Sequence, residues 1–515
     1  MSSSGPDPAL HRPAGHRAAR ADLLFTIALA TVILAWLAVA LTHLDFFSFE
    51  DDEGTFLVTA KAVWQGHKLY RDVWLNYFPG LIELLQLAFA VGGTTVISPR
   101  VLMAILAALG MLVSAVIARR AMGPLAGVAT ALLLALTPAM SRMGRSVMAE
   151  VPAAACTALG MYALQAHLHS GRSAWLIVAG LAAGFGVWFK YPAALALVVM
   201  FLALAVSARR RRQPWRVFAG RAVLLIGIAS LPVLISSLTY DWSAEWQQIL
   251  GTHVRSDAER SVNEIRNLGK FYGYLKVNNW GLATLAAAGL VALWRRRRDD
   301  AWLVGSWLGL YGLAMLLSTP LGTHHMYLFL APLGILAGSG LAQLVELLFA
   351  ARRPSFSRRC RHELAAYLLA ALVLLVFLPS SVGQLVDLYR GDRESAAELY
   401  HAVDLVASMT QPNDYVLSDL PMITYRAGRF APPWLTNTSG MRFEAGGLDE
   451  ATVQAISTKY RPAAVVLFED KLVENTPGYV AEIQASYVEV YRAYEPQDEN
   501  YQRLHAIYVR PDRAQ

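Results

Sequence analysis

An acidic cluster, EDDE at residues 50–53, is the strongest candidate for a catalytic or binding site in the 515-residue sequence. It follows the first hydrophobic segment, residues 23–44. Four adjacent carboxylates repel one another, and each is costly to desolvate beside a bilayer. Ionisable groups at a membrane edge are functional-site candidates by default. The side of the membrane that they face has to be inferred from the neighbouring segments.

The composition is that of a membrane protein. The chain is 55% hydrophobic and 16% charged, with a mean hydropathy of +0.38, whereas soluble domains average about 25% charged residues. The net charge of +7 comes from short arginine runs between apolar segments. That distribution favours a role in membrane orientation over nucleic-acid binding. The two cysteines are too few for a disulfide framework.

Eleven apolar segments are predicted to span the membrane, because a span needs about 20 mostly apolar residues. They are 23–44, 98–118, 124–140, 150–168, 174–190, 192–208, 216–238, 279–294, 301–318, 326–350 and 363–383. If the N-terminus is cytoplasmic, a total of eleven spans places every basic cluster between the spans in the cytoplasm. The shorter segment 78–93 contains Glu83 and Gln86, so we interpret it as a juxtamembrane helix on the outer side. Counting this segment as a span would move every later basic cluster to the outer side. The alternative is therefore that it does span and that a further span elsewhere returns those clusters to the cytoplasm.

The predicted fold class is a polytopic α-helical membrane protein of about 11 to 13 transmembrane helices with a C-terminal extracytoplasmic α/β domain. Residues 1–20 are predicted to be a disordered cytoplasmic N-terminus. Residues 21–384 form the membrane domain, whose outer loop 45–97 carries juxtamembrane helices. Residues 385–515 are polar. Within them, 394–409 is predicted as a helix, and 414–419, 463–468 and 505–510 as strands.

The first outer loop carries further polar and aromatic groups. Arg71 and Asp72 follow the acidic cluster, and Tyr77 precedes a Phe-Pro-Gly turn. A helix over 55–65 is predicted to lie on the lipid surface through Phe56, Val63 and Trp64. Carboxylates, a guanidinium and aromatic rings at a membrane boundary are suited to bind a sugar attached to a lipid.

These segments together resemble the GT-C glycosyltransferases, and most closely the protein O-mannosyltransferase and aminoarabinose-transferase branch. The resemblance rests on the acidic pair after the first span, the G-x-x-x-Y-x-D pattern at 66–72 and the aromatic-Pro turn at 77–79. It continues through SRMGRSVMAEVP at 141–152 and HHMY at 324–327. Some relatives have Lys-Pro-Pro at the turn, and its lysine contacts the donor phosphate. This chain has Tyr-Phe-Pro there, so that contact must be made by another residue.

The resemblance implies a polyprenyl-phosphate sugar donor and an inverting direct displacement. A lipid phosphate leaves as a stabilised anion, so only the acceptor hydroxyl needs a base. Asp52 is the predicted catalytic base, and Glu53 is predicted to orient Asp52 or a donor hydroxyl. Glu50 and Asp51 are supporting charges. No cofactor is required, and Asp51 and Glu53 are the candidate ligands if a divalent cation binds.

The predicted substrate-binding residues share a position near the outer membrane boundary. They are Asp51, Arg71, Asp72, Tyr77, Arg145, Glu150, Lys190, His324, His325 and Tyr327. Arg145, Lys190 and the histidines are the candidates for the leaving phosphate, with Arg71 as a further one. Each also has a structural alternative. Arg71 and Asp72 can pair with each other on the surface, and Lys190 can extend from a span end to the interface.

The sequence therefore predicts a glycosyltransferase of a bacterial inner membrane, with its active site and C-terminal domain on the periplasmic side. Its partners would be a polyprenyl-phosphate-linked sugar, membrane lipids and a lipid, polysaccharide or protein acceptor, with no nucleic acid. The alternative function is a membrane transporter or a flippase for lipid-linked sugars. That class predicts inverted repeats and polar residues near the midplane, and the sequence contains no repeat of fixed period.

Overall fold

The computed structural model describes residues 13–259, 264–278, 280–317, 321–352, 357–390, 396–496 and 502–514. Sixteen helices precede the C-terminal region. They are α1 (Pro13–Ala40), α2 (Asp51–Trp64), α3 (Gly80–Gly92), α4 (Ile97–Met122), α5 (Pro124–Ala135), α6 (Pro138–Met143), α7 (Glu150–Ser170), α8 (Ala174–Phe189), α9 (Leu195–Arg210), α10 (Trp215–Thr239), α11 (Trp242–Glu259), α12 (Glu264–Asn278), α13 (Trp280–Arg296), α14 (Arg298–Leu316), α15 (Leu330–Ala351) and α16 (Arg358–Arg390). Short 3₁₀ turns lie at Tyr191–Ala194 and His324–Phe329.

Each of the eleven predicted spans coincides with one of these helices. By length and apolar composition, six helical segments in the described part of the chain are able to cross a membrane on their own, and seven if the bent pair α12–α13 counts as one span. The remaining apolar helices are shorter, including α3, α5 and α8. The chain is thus a helical membrane protein, and its total of spans remains a prediction.

Small residues let the central helices pack closely. A Cβ atom on Gly289 of α13 would lie 1.9 Å from the carbonyl oxygen of Leu336 in α15. Only a glycine allows this approach, which is the usual basis of tight helix packing in membranes. Helix α15 is accordingly the most enclosed candidate span, since 83% of its apolar window is buried.

The N-terminal prediction is only partly covered by the structure. Residues 1–12 of the predicted disordered segment lie outside the described residues. Helix α1 begins at Pro13, so the helical backbone covers the rest of that segment.

Helix α2 does not lie on the lipid surface as predicted. Of the side chains predicted to face lipid, Phe56 is buried, Val63 is half-buried and Trp64 at the end of the helix is exposed. The cause is the C-terminal region, which packs against α2 so closely that a Cβ atom on Gly54 would lie 2.4 Å from the backbone nitrogen of Met422. Lys61 in the same helix donates a hydrogen bond to the carbonyl oxygen of Arg429 at 3.0 Å.

The C-terminal region is built on a four-stranded sheet of order β1-β2-β4-β3. Its elements are α17 (Ala397–Met409), β1 (Val416–Ser418), α18 (Pro421–Arg426), α19 (Gly440–Glu444), α20 (Glu450–Tyr460), β2 (Ala464–Leu467), α21 (Lys471–Asn475), α22 (Pro477–Ser486), β3 (Val488–Pro496) and β4 (Gln502–Val509). Strands β1 and β2 are parallel, and the other pairs are antiparallel. The predicted helix and all three predicted strands are confirmed within a few residues, whereas β3 was not predicted.

Candidate active site

A cavity of about 560 Å³ lies where the membrane helices meet the C-terminal region. Six parts of the chain supply its polar lining. They are the start of α2 (Asp52), the first outer loop (Asn76, Tyr77), the turn after α8 (Lys190), helix α12 (Lys270), the turn before α15 (His324, His325) and a C-terminal loop (Asn437, Ser439). Five of the sequence-predicted site residues therefore meet in one cavity, although they are distant along the chain.

The acidic cluster divides at the start of α2, because successive helical side chains point about 100° apart. Glu50 is the N-cap residue and lies 3.3 Å from His324 Nδ1 and 3.4 Å from Arg142. Asp51 turns to the C-terminal region and pairs with Lys471 at 3.3 Å. Asp52 faces the cavity, with its side chain 40% exposed and 3.9 Å from His324 Nε2.

Glu53 has a different environment from the one predicted for it. Its side chain is fully buried and forms a two-pronged ion pair with Arg100, at 2.8 Å and 2.7 Å. It also accepts hydrogen bonds from Ser48 Oγ at 2.8 Å and from the backbone nitrogen of Val147 at 2.9 Å. Glu53 does not line the cavity. These bonds tie the start of α2 to α4 and to the loop between α6 and α7, so Glu53 supports the site from behind.

Glu150 and Lys190 form a second buried ion pair, at 2.7 Å, next to the cavity. The Nε2 atoms of His324 and His325 approach the same Glu150 oxygen at 3.9 Å and 4.0 Å. Lys190 Nζ also lies 4.7 Å from the ring centroid of Tyr77. Burial raises the pKa of the Tyr77 phenol, which keeps it protonated. The predicted residues of this group thus make one connected polar network.

Four other predicted binding residues lie outside the cavity. Arg71 and Asp72 pair with each other at 3.1 Å on the surface. Arg145 is buried among Phe46, Phe49 and Tyr389 and donates a hydrogen bond to the carbonyl oxygen of Ser141 at 3.0 Å. Surface pairing therefore describes Arg71 and Asp72 better than substrate binding does, whereas Arg145 is buried away from the cavity.

Tyr327 is the fourth of these residues. Its hydroxyl lies 3.5 Å from Met140 Sδ, and the residue lines a smaller cavity of about 280 Å³.

The C-terminal side of the acidic cluster is also rich in ionisable groups. Lys471 lies between Asp51 and Glu469, and Asp419 is buried behind them. Burial raises the pKa of Asp419 to about 6. Burial, and then the charge of Asp51, raise the pKa of Glu469 to about 6. Asp51 therefore takes part in the junction between two regions of the chain.

Sequence reasoning missed several residues of the site. Lys270 lines both cavities and donates a hydrogen bond to the carbonyl oxygen of Leu321. Asn76, Asn437 and Ser439 also line the main cavity. A lysine followed by two aromatic residues near a predicted outer span end was a signal for Lys270. The uncharged residues gave no local signal.

The predicted metal ligands do not converge. Asp51 and Glu53 point to different partners, Lys471 and Arg100. Among the described residues, the donor atoms of Glu150, His324 and His325 do converge, within 4.8 Å of one another. A carboxylate and two imidazoles are suitable ligands for a transition metal. However, Lys190 already neutralises this carboxylate.

Comparisons with known proteins agree with this architecture. Residues 79–235 match the model of the dolichyl-phosphate-mannose-protein mannosyltransferase family. No curated protein matches the chain in sequence. The fold is similar to that of ArnT from Cupriavidus metallidurans bound to undecaprenyl phosphate, with a TM-score of 0.62, 16% identity and coverage of 94% of this chain and 97% of that one. It is also similar to the oligosaccharyltransferase AglB from Archaeoglobus fulgidus in complex with an inhibitory peptide and a dolichol-phosphate. That match has a TM-score of 0.54 and 14% identity, and it covers 92% of this chain and 73% of that one.

The fold is that of the GT-C membrane glycosyltransferases, so the resemblance recognised in the sequence is confirmed. Within this class, the match to the mannosyltransferase family model covers α3 to most of α10 and includes Glu150 and Lys190 of the buried network.

Proposed function

We propose that the protein is an integral membrane glycosyltransferase that transfers a sugar from a polyprenyl phosphate to an acceptor hydroxyl. One observation carries the proposal. A single cavity joins an exposed carboxylate, Asp52, to the cationic groups Lys190 and His324. Leu195, Leu317 and Leu328 add an apolar lining to the same cavity. A lipid-linked sugar phosphate needs this combination of an apolar wall, positive charge and a base.

Asp52 would act as the general base. It takes the proton of the acceptor hydroxyl as that oxygen attacks the anomeric carbon, and the bond from this carbon to the phosphate oxygen breaks. The bonding electrons leave with the phosphate, which needs no proton. Attack opposite the leaving group inverts the anomeric centre. Asp52 lies in the first turn of α2, where the helix dipole favours the ionised carboxylate.

The leaving phosphate would be stabilised by nitrogen-bearing side chains of the same cavity. Lys190 lines the cavity while paired with Glu150, and His324 lies between that pair and Asp52. Lys270 offers a further ammonium group at the same cavity. Preorganised charges of this kind act where negative charge develops in the transition state. They replace the phosphate contact of the Lys-Pro-Pro turn that this chain lacks.

The central test compares two adjacent carboxylates. Asp52→Asn should lower the transfer rate about 10²- to 10⁴-fold while polyprenyl-phosphate binding is retained. Asp51→Asn is the matched control, because Asp51 pairs with Lys471 outside the cavity; it should retain most of the activity. Purified protein would be given labelled polyprenyl-phosphate sugars. Full transfer by Asp52→Asn would refute the base assignment, and sugar movement across vesicles without product would favour transport.

A metal ion is not part of the proposed step. If bound, Glu150, His324 and His325 would hold it, and it would supply further positive charge near the phosphate. Lys190 supplies such charge from the protein itself. We therefore expect transfer to persist after treatment with a chelator. Loss of activity that a divalent cation restores would contradict this expectation.

We also propose that the cavity faces the outer side of a bacterial inner membrane. The support is the distribution of basic clusters, such as residues 209–212 and 295–298, at the ends of helices away from the cavity. A membrane-impermeant maleimide tests this orientation in a Cys156→Ser background. Cys360 should be protected in intact cells, whereas Thr458→Cys in the C-terminal region should be labelled. The reverse pattern would invert the topology.

A further inference from the structure

We infer that the loop Asn437–Met441 of the C-terminal region is the sugar-binding wall of the cavity and selects an uncharged sugar. This inference rests on the proposed function and deepens it, because it names the class of sugar that the donor carries. The loop supplies Asn437, Ser439 and Met441 to the lining of the cavity that contains Asp52.

The loop is held in a defined position against the first outer loop. Asn76 Nδ2 lies 3.9 Å from Met441 Sδ, in the geometry of a weak hydrogen bond. Within the loop, the side-chain oxygen of Asn437 accepts a hydrogen bond from the backbone nitrogen of Ser439 at 2.9 Å. Asn76, Asn437 and Ser439 therefore form one polar surface, although they come from two distant segments of the sequence.

Arg442 fixes this loop from behind. Its buried guanidinium donates hydrogen bonds to the carbonyl oxygens of Trp434 and Asn437, both at 2.7 Å, and of Gly447 at 3.2 Å. It also lies 4.4 Å from the ring centroid of Trp74 and 5.2 Å from that of Trp434. Trp74 belongs to the first outer loop, so one side chain joins the two segments that form the wall. A recognition surface needs such rigid support.

The chemistry of the wall suits hydroxyl groups. Amide and hydroxyl side chains both donate and accept hydrogen bonds, and so do the hydroxyls of a neutral sugar. Among the cavity residues that the loop and Asn76 contribute in the described structure, none is charged. The charged and ionisable groups of the cavity come instead from the start of α2, from α12 and from the turns after α8 and before α15. A charged sugar placed against this wall would lose hydration without gaining a counter-charge.

The experiment measures binding, so it does not depend on turnover. Purified full-length protein would be titrated with a short polyprenyl phosphate that is either bare or carries mannose, 4-amino-arabinose or galacturonic acid. The neutral mannosyl lipid should bind more tightly than either charged form. Asn437→Ala and Ser439→Ala should each weaken mannosyl-lipid binding about 3- to 10-fold, the usual cost of a lost hydrogen bond. Binding of the bare lipid should not change, which also shows that the variants are folded.

Thr458→Ala is the matched control, because Thr458 is exposed on α20 and donates a hydrogen bond to the carbonyl oxygen of Gln454 in the same helix. Equal weakening of bare and mannosyl lipid by the loop variants would overturn the inference, as would tighter binding of either charged donor. The wild type could bind the mannosyl lipid through Asn437 yet transfer no sugar to any acceptor. That result would support the inferred sugar-binding surface and refute the proposed transferase activity. The two ideas are therefore separable.

Discussion

The two walls of the cavity differ in their chemistry. The wall built by the membrane helices and the first outer loop holds Asp52, Lys190 and the histidine pair, and it is backed by two buried ion pairs. The wall from the C-terminal region carries amide, hydroxyl and thioether groups. The charged wall is suited to moving a proton and stabilising a leaving phosphate, and the neutral wall is suited to recognising a sugar.

The same division appears at the start of α2. Asp51 and Asp52 are adjacent in sequence, yet one contacts the C-terminal region and the other faces the cavity. A carboxylate's role here depends on its direction and partner, and not on its residue type. Variants in each wall should therefore distinguish their functions, with the largest effect expected for the charged wall.

The largest effect should come from breaking the support of the charged wall. Arg100→Met leaves Glu53 buried without its partner, which costs about 3–5 kcal/mol in comparable buried pairs. We expect a large fall in the thermal unfolding midpoint in detergent, or no folded protein. Replacing both residues by apolar ones should recover much of the loss. A single variant as stable as the wild type would show that the pair is dispensable.

Lys190→Met tests the ionic centre of that wall. It should lower both stability and polyprenyl-phosphate binding, because Glu150 is left as an unpaired buried charge. The double variant Lys190→Met/Glu150→Gln should regain stability but not binding, which we expect to stay about 10- to 100-fold weaker. Recovery of both properties would mean that Lys190 serves only to neutralise Glu150.

The C-terminal region should respond to pH in the opposite way from a region held by ionised carboxylates. The pKa values of Asp419 and Glu469 are raised to about 6, above the ordinary values of about 4 in an unfolded chain. The folded form therefore binds more protons between about pH 4 and 6, so these groups make stability fall as pH rises through that window. Hydrogen exchange of strands β1 and β2 measures this, and Asp419→Asn should flatten the dependence.

The smallest effect is expected on the surface, away from both walls. Arg71→Ala or Asp72→Ala removes an exposed ion pair, which contributes about 0–1 kcal/mol. Neither change should alter polyprenyl-phosphate binding. A strong loss of binding in Arg71→Ala would restore its predicted role as a phosphate ligand and would contradict the arrangement described above.

The sequence by itself determined the class of the molecule. Apolar length and arginine position act locally along the chain, so they indicated eleven helices close to their observed bounds. The spacing of apolar residues in the C-terminal region indicated three of its four strands. The motif resemblance selected Asp52, Tyr77 and the histidine pair, and a position near a predicted span end selected Lys190. All five residues line one cavity.

Only the tertiary structure decided which side chain meets which partner. Glu53 is paired with a residue 47 positions away, and Asp51 with one 420 positions away. The motif gave both carboxylates a place near the donor, but long-range packing turned them from the cavity. Asn437 and Arg442 carry no motif, and their positions depend on contacts between distant segments. Hydropathy and charge patterns depend on residues that are close in sequence. The site is formed by residues that are distant in sequence and close in space.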